Sequence, residues 1–491
     1  MEQQRRGVHT LSHWDKIIEH IWKRSRPLSP ETHPMPARKI LTPVTATIGA
    51  LLLACLGGLF WLRLGRPGGR SKISPDDIIL RLSGSNTIGE GLAPALAEEF
   101  FKQQGATQVK TLPGDRDDEV RVQGVLPGDR APKVIEIHAH GSAVAFQDLT
   151  SGRADIGMAS RRIKTDEVAQ LAGLGDMTSP ACEHILGLDG IAVIVSRKNP
   201  VEALEKDQIA QIFKGEIGNW RQVGGPDAAI HLYARDDKSG TSDTFRTLVL
   251  GEAAFAPSAR RIEDSRKLSD AVAQDPNGIG FIGLPYIQET RAIAVYENGA
   301  AALLPTPFTV ATEDYPLSRR LFLYTAANPR QELTRRFVDF ALSSMGQNIV
   351  AEIGFVGQNV SAAAAAAGST AVPADYRRLT SGYDRLSLDF RFREGSSELD
   401  NKAVADLTRV VTFVRDLHYS GDNLVLLGFD DSKEATENLS KARAAAVAQQ
   451  FEQRGVKAAT VVGFGSQLAV ASNDTPEGRQ KNRRVEIWLR R

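Results

Sequence analysis

One long uncharged segment limits what the rest of this chain can fold into. Ile40–Leu62 runs for 23 residues without a charged side chain, which is enough to cross a bilayer with some tilt. Eight Lys and Arg residues precede it and four follow closely, which weakly favours a cytoplasmic N-terminus. Because the 39 residues before it exceed the leader of a cleaved signal peptide, we predict a signal anchor at 40–62.

Two features near this segment leave alternatives open. Leu52–Cys55 resembles a lipobox, so lipoprotein processing at Cys55 competes with the anchor, although apolar residues continue to Leu62. Within residues 1–39, apolar side chains recur from Trp14 to Trp22 at helical spacing. This pattern predicts a short amphipathic helix, which either lies on the cytoplasmic membrane surface or docks on a protein partner.

The composition indicates a folded chain with more than one domain. Of the 491 residues, 42% are apolar and 24% are charged, which is typical of globular proteins, and the length suits two or three domains. Lys and Arg number 60 against 59 Asp and Glu, so no overall positive field favours nucleic acid. The two cysteines cannot form a disulfide framework.

Residues 74–358 alternate short apolar runs with helical patterns. The pattern predicts strands at Ile78–Leu82, Val134–His138 and Ile191–Ser196, and a helix at Thr87–Gln103. Such alternation is typical of an α/β fold, and this length suits two lobes. Residues 359–382 hold six consecutive alanines, then Gly, Ser and Pro, and predict a linker.

Residues 383–491 predict a second, smaller α+β domain. Its expected elements alternate strand and helix: Leu386–Phe392, Asn401–Leu417, Leu424–Gly428, Leu439–Gln453 and Arg484–Leu489. The order β-α-β-α-β indicates one sheet packed against its helices.

Two loops in residues 74–358 have the chemistry of an oxyanion site. Ser142 follows Gly141, and Arg235 lies shortly before Ser239-Gly240-Thr241. Glycine lets the backbone approach an anion, and the amides of a following helix N-terminus face it. Arginine adds a charge-assisted hydrogen bond. Ordinary turn chemistry would use the same small residues.

These loops belong to a longer series that resembles the phosphate-binding proteins of ABC transporters (PstS-like), a family with the type 2 periplasmic binding fold. The series is Gly84-Ser85-Asn86-Thr87-Ile88, Gly141-Ser142, Asp155 to Arg161, Asn219-Trp220, Arg235 with Ser239-Gly240-Thr241, and Gly278 to Phe281. The resemblance implies a two-lobed fold that holds an inorganic oxyanion between the lobes. The residues that it implies for the site are Thr87, Ile88 through its backbone, Ser142, Ser160, Arg235, Ser239, Gly240 and Thr241.

One position departs from the family. Well-known members end the Asp155-type run with an aspartate that accepts the proton of hydrogen phosphate and so rejects sulfate. Ser160 stands at that position, followed by Arg161 and Arg162, and a hydroxyl is a weaker acceptor than a carboxylate. We therefore predict oxyanion binding and leave phosphate-over-sulfate selectivity open, with Asp236, Asp237 and Asp243 as candidate replacements for the acceptor.

Other motifs do not indicate catalysis, a cofactor or a metal. Gly278 to Gly283 matches GxGxxG, but Pro285 closes it where a dinucleotide site needs a helix. His138 and His140 face one side of a predicted strand without further ligands at metal-site spacing. No nucleophile elbow, HExxH helix or phosphate-binding P-loop is present in the sequence. We predict a binding protein, not an enzyme.

Residues from Leu386 onward resemble the OmpA-like peptidoglycan-binding domain. The matching residues are Phe392, Gly395-Ser396-Ser397, Leu399, Gly428-Phe429-Asp430-Asp431, Leu439-Ser440, Arg443-Ala444, Gly463-Phe464-Gly465 and Gly478-Arg479 with Asn482 to Glu486. The resemblance implies that Asp431 and Arg443 clasp the diaminopimelate of the peptidoglycan stem peptide, a group that carries both charges. The alternative is a structural pair, in which Asp431 caps a helix and Arg443 pairs with it.

Together these features predict an inner-membrane protein with most of its chain in the periplasm. One module would bind an oxyanion, expected to be phosphate, and the other would attach to peptidoglycan. An ABC permease is a candidate partner, but a protein held at both ends suits sensing, scavenging or scaffolding better than delivery. The alternative is a structural tether whose binding fold has lost its anion or binds a protein.

Overall fold

A computed structural model describes residues 74–490 except positions 117, 238, 252, 365–371, 394–395, 397, 418–422 and 432–436. The predicted anchor at 40–62, Cys55 and the predicted amphipathic helix lie outside the described residues. Among the helices that are described, none combines the length and apolar character needed to cross a membrane. Residues 73–491 form one compact unit.

Strands and helices alternate through most of the described chain. The strands are β1 Ile78–Gly84, β2 Thr107–Pro113, β3 Glu119–Val125, β4 Lys133–His138, β5 Ile156–Ala159, β6 Glu183–Val195, β7 Ala203–Glu205, β8 His231–Arg235, β9 Arg260–Ile262, β10 Gly278–Gly283, β11 Arg291–Ala292, β12 Ala294–Tyr296, β13 Ser318–Tyr324, β14 Ala362–Ala364, β15 Tyr383–Arg391, β16 Leu424–Gly428, β17 Thr460–Gly463 and β18 Arg484–Arg490. The α-helices are α1 Asn86–Gly89, α2 Leu92–Gln103, α3 Ser142–Thr150, α4 Thr165–Gln170, α5 Lys206–Lys214, α6 Gly240–Phe245, α7 Ser265–Gln274, α8 Pro307–Ala311, α9 Glu332–Leu342, α10 Ser344–Ile353, α11 Ala374–Thr380, α12 Asn401–Asp416, α13 Glu437–Glu452 and α14 Pro476–Asn482.

The first lobe, residues 74–190 and 318–358, has three parallel strands at the centre of its sheet, flanked by antiparallel strands. β1 pairs in parallel with β4 and with β5, so the carboxyl ends of these three strands meet at one edge of the sheet. Helices α2 and α9 cover the sheet with apolar side chains, among them Phe100 and Phe337, whose ring centroids lie 5.2 Å apart. This edge is where an α/β sheet presents a ligand site.

The second lobe, residues 191–317, has its own core around Phe213, Phe245 and Phe281. The rings of Phe245 and Phe281 stack with centroids 3.9 Å apart. Helix α5 presents its apolar side to this core and ends at Gly215, whose φ of 83° suits glycine. The lobe therefore has a hydrophobic core of its own.

Two segments join the lobes. In β6, residues 183–190 pair with β13 of the first lobe, and residues 191–195 pair with β10 of the second. The second crossing, residues 312–317, leads into β13 and returns the chain to the first lobe. Tyr315 in this crossing donates a hydrogen bond from its hydroxyl to the carbonyl of Ile191 in β6, at 2.9 Å. The two crossings are thus tied together where the lobes meet.

The C-terminal domain, residues 362–490, has a five-stranded sheet in the order β14-β15-β18-β16-β17. Helices α12 and α13 cover one face, where Val410, Val447 and Phe451 are fully buried. Helix α12 begins at Asp400, whose carboxylate accepts a hydrogen bond from the amide of Ala403 at 2.8 Å. This architecture confirms the small α+β domain.

Several predicted boundaries were wrong in ways that have a physical cause. The helix expected at Thr87–Gln103 is two helices, α1 and α2, which break at Glu90–Gly91. The predicted linker 359–382 contains β14 and α11. Alanine-rich β14 has little strand propensity, and it forms by pairing with β15. The predicted domain order also omitted β17 and α14.

Candidate functional site

The predicted oxyanion residues lie where strands of the two lobes end. Helix α1, with Thr87 and Ile88, follows β1; Ser142 is the first residue of α3 after β4; and Ser160 follows β5. In the second lobe, Arg235 ends β8 and Ser239 is the N-cap of α6. The fold therefore brings loops of the two lobes, those of Thr87 and Gly240, into contact; the space between these lobes is here called the cleft.

On the first-lobe side, two serines form a hydroxyl pair. The Oγ atoms of Ser142 and Ser160 are 3.1 Å apart, and Ser142 Oγ accepts a hydrogen bond from the amide of Ser160 at 3.0 Å. Both residues are buried. Gly141 precedes them at a φ of 99°, which a residue with a Cβ rarely adopts.

On the second-lobe side, Gly240 lies directly against Thr87. A Cβ placed on Gly240 would lie 2.3 Å from Thr87 Oγ1 and 2.7 Å from its amide nitrogen, so a larger residue would force the loops apart. Ser239 caps α6 by accepting a hydrogen bond from the amide of Thr241 at 3.2 Å. The two lobes are thus in contact across the cleft.

Arg235 places a guanidinium with spare hydrogen-bonding capacity in this region. Its Nη1 donates to Ser265 Oγ, while its Nε is buried with no partner among the described residues. A buried unpaired donor is costly unless a ligand or water accepts from it. Nearby, burial raises the pKa of Glu90, against the opposing charge of Arg235.

The sequence analysis missed Arg319, the buried cation at the centre of the cleft. Its Nη2 donates to Thr87 Oγ1 at 2.8 Å and to the Gly240 carbonyl at 3.2 Å, and its Nη1 donates to the Ser160 carbonyl at 3.3 Å. Its Nε donates to Asp189 Oδ2 at 3.3 Å. Arg319 therefore connects loops of both lobes.

Burial acts on both charges of the Arg319–Asp189 pair. It lowers the pKa of Arg319 and raises the pKa of Asp189, and each partner opposes the shift of the other. An arginine nevertheless stays protonated in proteins. No motif surrounds Arg319, which lies on a strand 78 residues after Thr241, so the sequence alone carried no signal for it.

The arginines that follow Ser160 are neutralised locally. Arg161 donates to both carboxylate oxygens of Glu167, at 2.8 and 2.6 Å, and Arg162 does the same to Glu183, at 3.0 and 3.2 Å. Of the candidate replacement carboxylates, Asp237 accepts from Arg261. The charge of Asp243 acts on Arg161 and Arg319, and the charge of Asp236 acts on Glu90.

The C-terminal domain brings two acids and two arginines together. Arg443 Nη1 donates to Asp430 Oδ1 at 2.6 Å, and Arg483 Nη1 donates to Asp431 Oδ2 at 2.7 Å. The amide of Asp431 also donates to Asp430 Oδ1, at 2.8 Å. Asp431 and Arg443 thus lie in one cluster, but Asp430 and Arg483, which sequence reasoning did not assign to it, are their direct partners.

Asp430 is the acid of this cluster whose pKa is shifted. Burial alone would raise the pKa of Asp430, but hydrogen bonds with Asp431 and Arg443 hold it below the ordinary value. Arg443 also lies over the ring of Phe392, 5.5 Å from its centroid, and its Nε is buried without a partner among the described residues. The cluster, here named the four-charge cluster (Asp430, Asp431, Arg443, Arg483), suits a ligand that carries both charges.

Comparison with known proteins agrees with the two modules. The PBP superfamily domain matches residues 69–344, and the OmpA family matches residues 391–483. Phosphate-binding protein PstS of Borreliella burgdorferi is 29% identical over 226 residues, which cover 45% of this chain and 78% of that protein. Protein SphX of Synechococcus elongatus is 30% identical over 236 residues, covering 45% and 68%.

Among solved structures, an ABC-type phosphate transport receptor from Vibrio cholerae aligns with 56% of this chain and 99% of its own, at 25% identity and a TM-score of 0.45. The family matches cover more than half of the chain. The chain therefore belongs to the PBP superfamily, is related to the PstS phosphate-binding proteins, and carries a C-terminal OmpA family domain.

Proposed function

We propose that the cleft binds an inorganic oxyanion, and that this anion is phosphate. The proposal is carried by the contact of Gly240 with Thr87 between the lobes. The first lobe adds the buried Ser142–Ser160 hydroxyl pair, and the second lobe adds the Nε of Arg235, which has no partner among the described residues. The ligand oxygens would accept from Arg235, from the hydroxyls of Thr87, Ser142, Ser160, Ser239 and Thr241, and from the backbone amides of Ile88 and Gly240. The names of the PstS relatives support this ligand.

Anion binding would stabilise the closed arrangement of the lobes. Each lobe supplies donors, so an anion that contacts both is held best when they meet. Arg319 would position Thr87, Ser160 and the α6 loop, because it already bonds to atoms of all three. Its role is structural support of the donors.

For selectivity, we propose that Asp243 replaces the aspartate that Ser160 displaces. A carboxylate that accepts the proton of hydrogen phosphate would repel sulfate, which has none to give. Calorimetric titration of residues 73–491 with phosphate, repeated in excess sulfate, tests both proposals. The proposals are supported if the wild type still binds phosphate in excess sulfate and if sulfate competes with phosphate in Asp243→Asn.

Other results separate the alternatives. Binding that sulfate abolishes in the wild type would make the cleft a general oxyanion site and remove the role of Asp243. A titration without heat, together with no thermal stabilisation by either anion, would contradict anion binding and leave the tether function.

We further propose that the four-charge cluster binds the diaminopimelate of the peptidoglycan stem peptide. Its ammonium would meet Asp431 and its carboxylate would meet Arg443. The OmpA family match supports this assignment. Retention of residues 73–491 on purified sacculi tests it directly.

The proposed organisation places the chain across the inner membrane. Residues 1–39 would be cytoplasmic and residues 40–62 would form the anchor. In the periplasm would lie the anion-binding domain (74–358), the connecting segment (359–382) and the peptidoglycan-binding domain (383–491), with an ABC permease as a candidate partner. Cys55→Ser tests the topology: it leaves a signal anchor in the membrane, whereas it blocks processing of a lipoprotein.

A further inference from the structure

The C-terminal domain holds the second crossing between the lobes, residues 312–317. Lys481 Nζ donates to the carbonyls of Tyr315 and Pro316, at 3.2 and 3.3 Å. Arg391 Nη2 donates to the carbonyl of Thr312 at 2.7 Å, and Arg385 Nη2 donates to Asp314 Oδ2 at 2.9 Å. Three cations of one domain thus bind the segment about which the lobes would move.

The same domain also contacts each lobe beside the crossing. In the first lobe, Asp400 Oδ2 pairs with Arg320 Nη1 at 2.7 Å, and Asn401 Nδ2 donates to Glu183 Oε1 at 2.8 Å. In the second lobe, Glu297 Oε2 accepts from the amide of Ser472 at 2.9 Å. Because the C-terminal domain bonds to both lobes and to the crossing, a change in the angle between the lobes would disturb these bonds.

We name this set of contacts the hinge contact; it comprises Glu183, Glu297, Glu313, Asp314, Arg320 and the carbonyls of the crossing, with Arg385, Arg391, Asp400, Asn401, Lys402, Ser472 and Lys481. Its charged side chains are buried or half-buried, and most of them pair with a charge of opposite sign. The cations Arg320, Lys402 and Arg391 outweigh the effect of burial on Glu313 and hold its pKa at about 2. Removing one partner from such a network leaves an uncompensated buried charge, so the network favours one arrangement of the lobes.

Strand β13 connects the hinge contact with the anion cleft. Its neighbouring residues Arg319 and Arg320 point to opposite faces, as successive residues of a strand do. Arg319 bonds to Thr87 and Gly240 in the cleft, while Arg320 bonds to Glu313 and Asp400 in the hinge contact. The structure with the C-terminal domain docked is also one in which Thr87 and Gly240 touch across the cleft.

We propose that the docked C-terminal domain holds the lobes in their closed arrangement, so that docking and phosphate binding stabilise each other. The inference rests on the proposed phosphate site. Such coupling is reciprocal: a domain that strengthens phosphate binding must itself dock more firmly when phosphate is bound.

The first test compares Lys481→Met with the wild type in residues 73–491. Methionine keeps the apolar stem and removes the donors to Tyr315 and Pro316. Lys457→Met, at an exposed position of the same domain, is the matched control. We expect calorimetric titration to show phosphate binding at least about 5-fold weaker in Lys481→Met, the lower end of typical allosteric coupling, and unchanged in Lys457→Met.

The second test is the reciprocal one in the wild type, with hydrogen exchange measured with and without phosphate. Phosphate should slow exchange in α14 and at the start of α12, which carry Lys481 and Asn401 and belong to the C-terminal domain. Slower exchange in the cleft loops alone would overturn the inference. This test uses the wild type, so it does not depend on whether Lys481→Met folds.

The outcomes distinguish the inference from the function on which it rests. Equal phosphate affinity in Lys481→Met and the wild type would overturn the coupling alone. A wild type that binds no phosphate would remove the proposed function and the coupling with it.

Discussion

The anion cleft and the hinge contact use the same kinds of side chain but differ in how their charges are matched. In the hinge contact, Arg320 meets two carboxylates, those of Glu313 and Asp400. In the cleft, Arg235 donates to a neutral hydroxyl and keeps an Nε without a partner among the described residues. A cation whose described partner is a neutral hydroxyl leaves its charge for an anion, whereas a cation paired with two carboxylates indicates a permanent contact.

Arg319 has both a carboxylate partner, Asp189, and partners in the cleft. Its replacement should cause the largest loss of stability. Arg319→Met leaves Asp189 buried without its partner, which should lower the free energy of unfolding by about 3–5 kcal/mol. Urea unfolding of residues 73–491 measures this change. Arg221→Met is the control, because Arg221 forms an exposed pair with Asp227, and such pairs contribute about 0–1 kcal/mol.

A double variant sharpens this result. Arg319→Met with Asp189→Asn removes both charges and should recover part of the loss, because no uncompensated charge remains. The contradicting result is a free energy of unfolding of Arg319→Met within about 1 kcal/mol of the wild-type value, which is the top of the range for exposed pairs. In that case the buried pair does not support the cleft.

Arg235 should affect binding more than stability. Its removal deletes a charge-assisted hydrogen bond to the anion, of about 1.5–3 kcal/mol, so Arg235→Ala should weaken phosphate binding by about 10- to 150-fold. Calorimetry measures the affinity, with Arg221→Ala as the control in the same lobe. An affinity within threefold of the wild type, well short of the tenfold lower bound, would place the anion elsewhere.

The four-charge cluster is a third case, because its arginines are paired with carboxylates and the proposed ligand brings charges of both signs. Asp431→Ala and Arg443→Ala should each reduce retention on sacculi by about 10-fold or more, from the loss of one charged hydrogen bond. Lys457→Ala should retain wild-type binding. Full retention by both cluster variants would assign these residues to structure alone.

The buried charges beside the hinge should also make stability depend on pH. Burial, with the nearby carboxylates of Asp314 and Glu486, raises the pKa of Asp389 to about 7 against the pull of Arg385. Since its ordinary pKa is 3.8, the folded protein binds more protons between about pH 4 and 7, and stability falls as pH rises through this window. Asp389→Asn should remove that fall.

The measurement is urea unfolding at several pH values from 4.5 to 7.5, with circular dichroism as the signal of unfolding. The slope that one carboxyl contributes is at most about 1.4 kcal/mol per pH unit. Identical pH profiles for the wild type and Asp389→Asn would show that this carboxyl titrates normally.

Local chemistry explains which features the sequence revealed. Ser239, Gly240 and Thr241 were predictable because an N-cap and a close backbone approach depend on neighbours in the chain. Arg319 was not, because its partners Thr87 and Asp189 lie 232 and 130 residues away. Asp430 was overlooked beside Asp431, since only the fold shows which of two adjacent acids faces Arg443.

Elements of the fold were predictable where their burial follows a local sequence pattern, and not where they depend on distant partners. Apolar periodicity identified β16 and α12 almost to the residue, because their burial follows the pattern of the sequence. Strand β14 is made of alanines and depends on its partner β15. The hinge contact joins residues from distant parts of the chain, so no local pattern could indicate that Lys481 would reach Tyr315.

A crystal structure of residues 73–491 grown with phosphate would test anion binding in the cleft directly. We expect one phosphate between the lobes, with its oxygens bonded to Arg235 and Ser142 and within reach of the Gly240 amide. A cleft without phosphate at a saturating concentration, or phosphate bound away from Arg235, would contradict it.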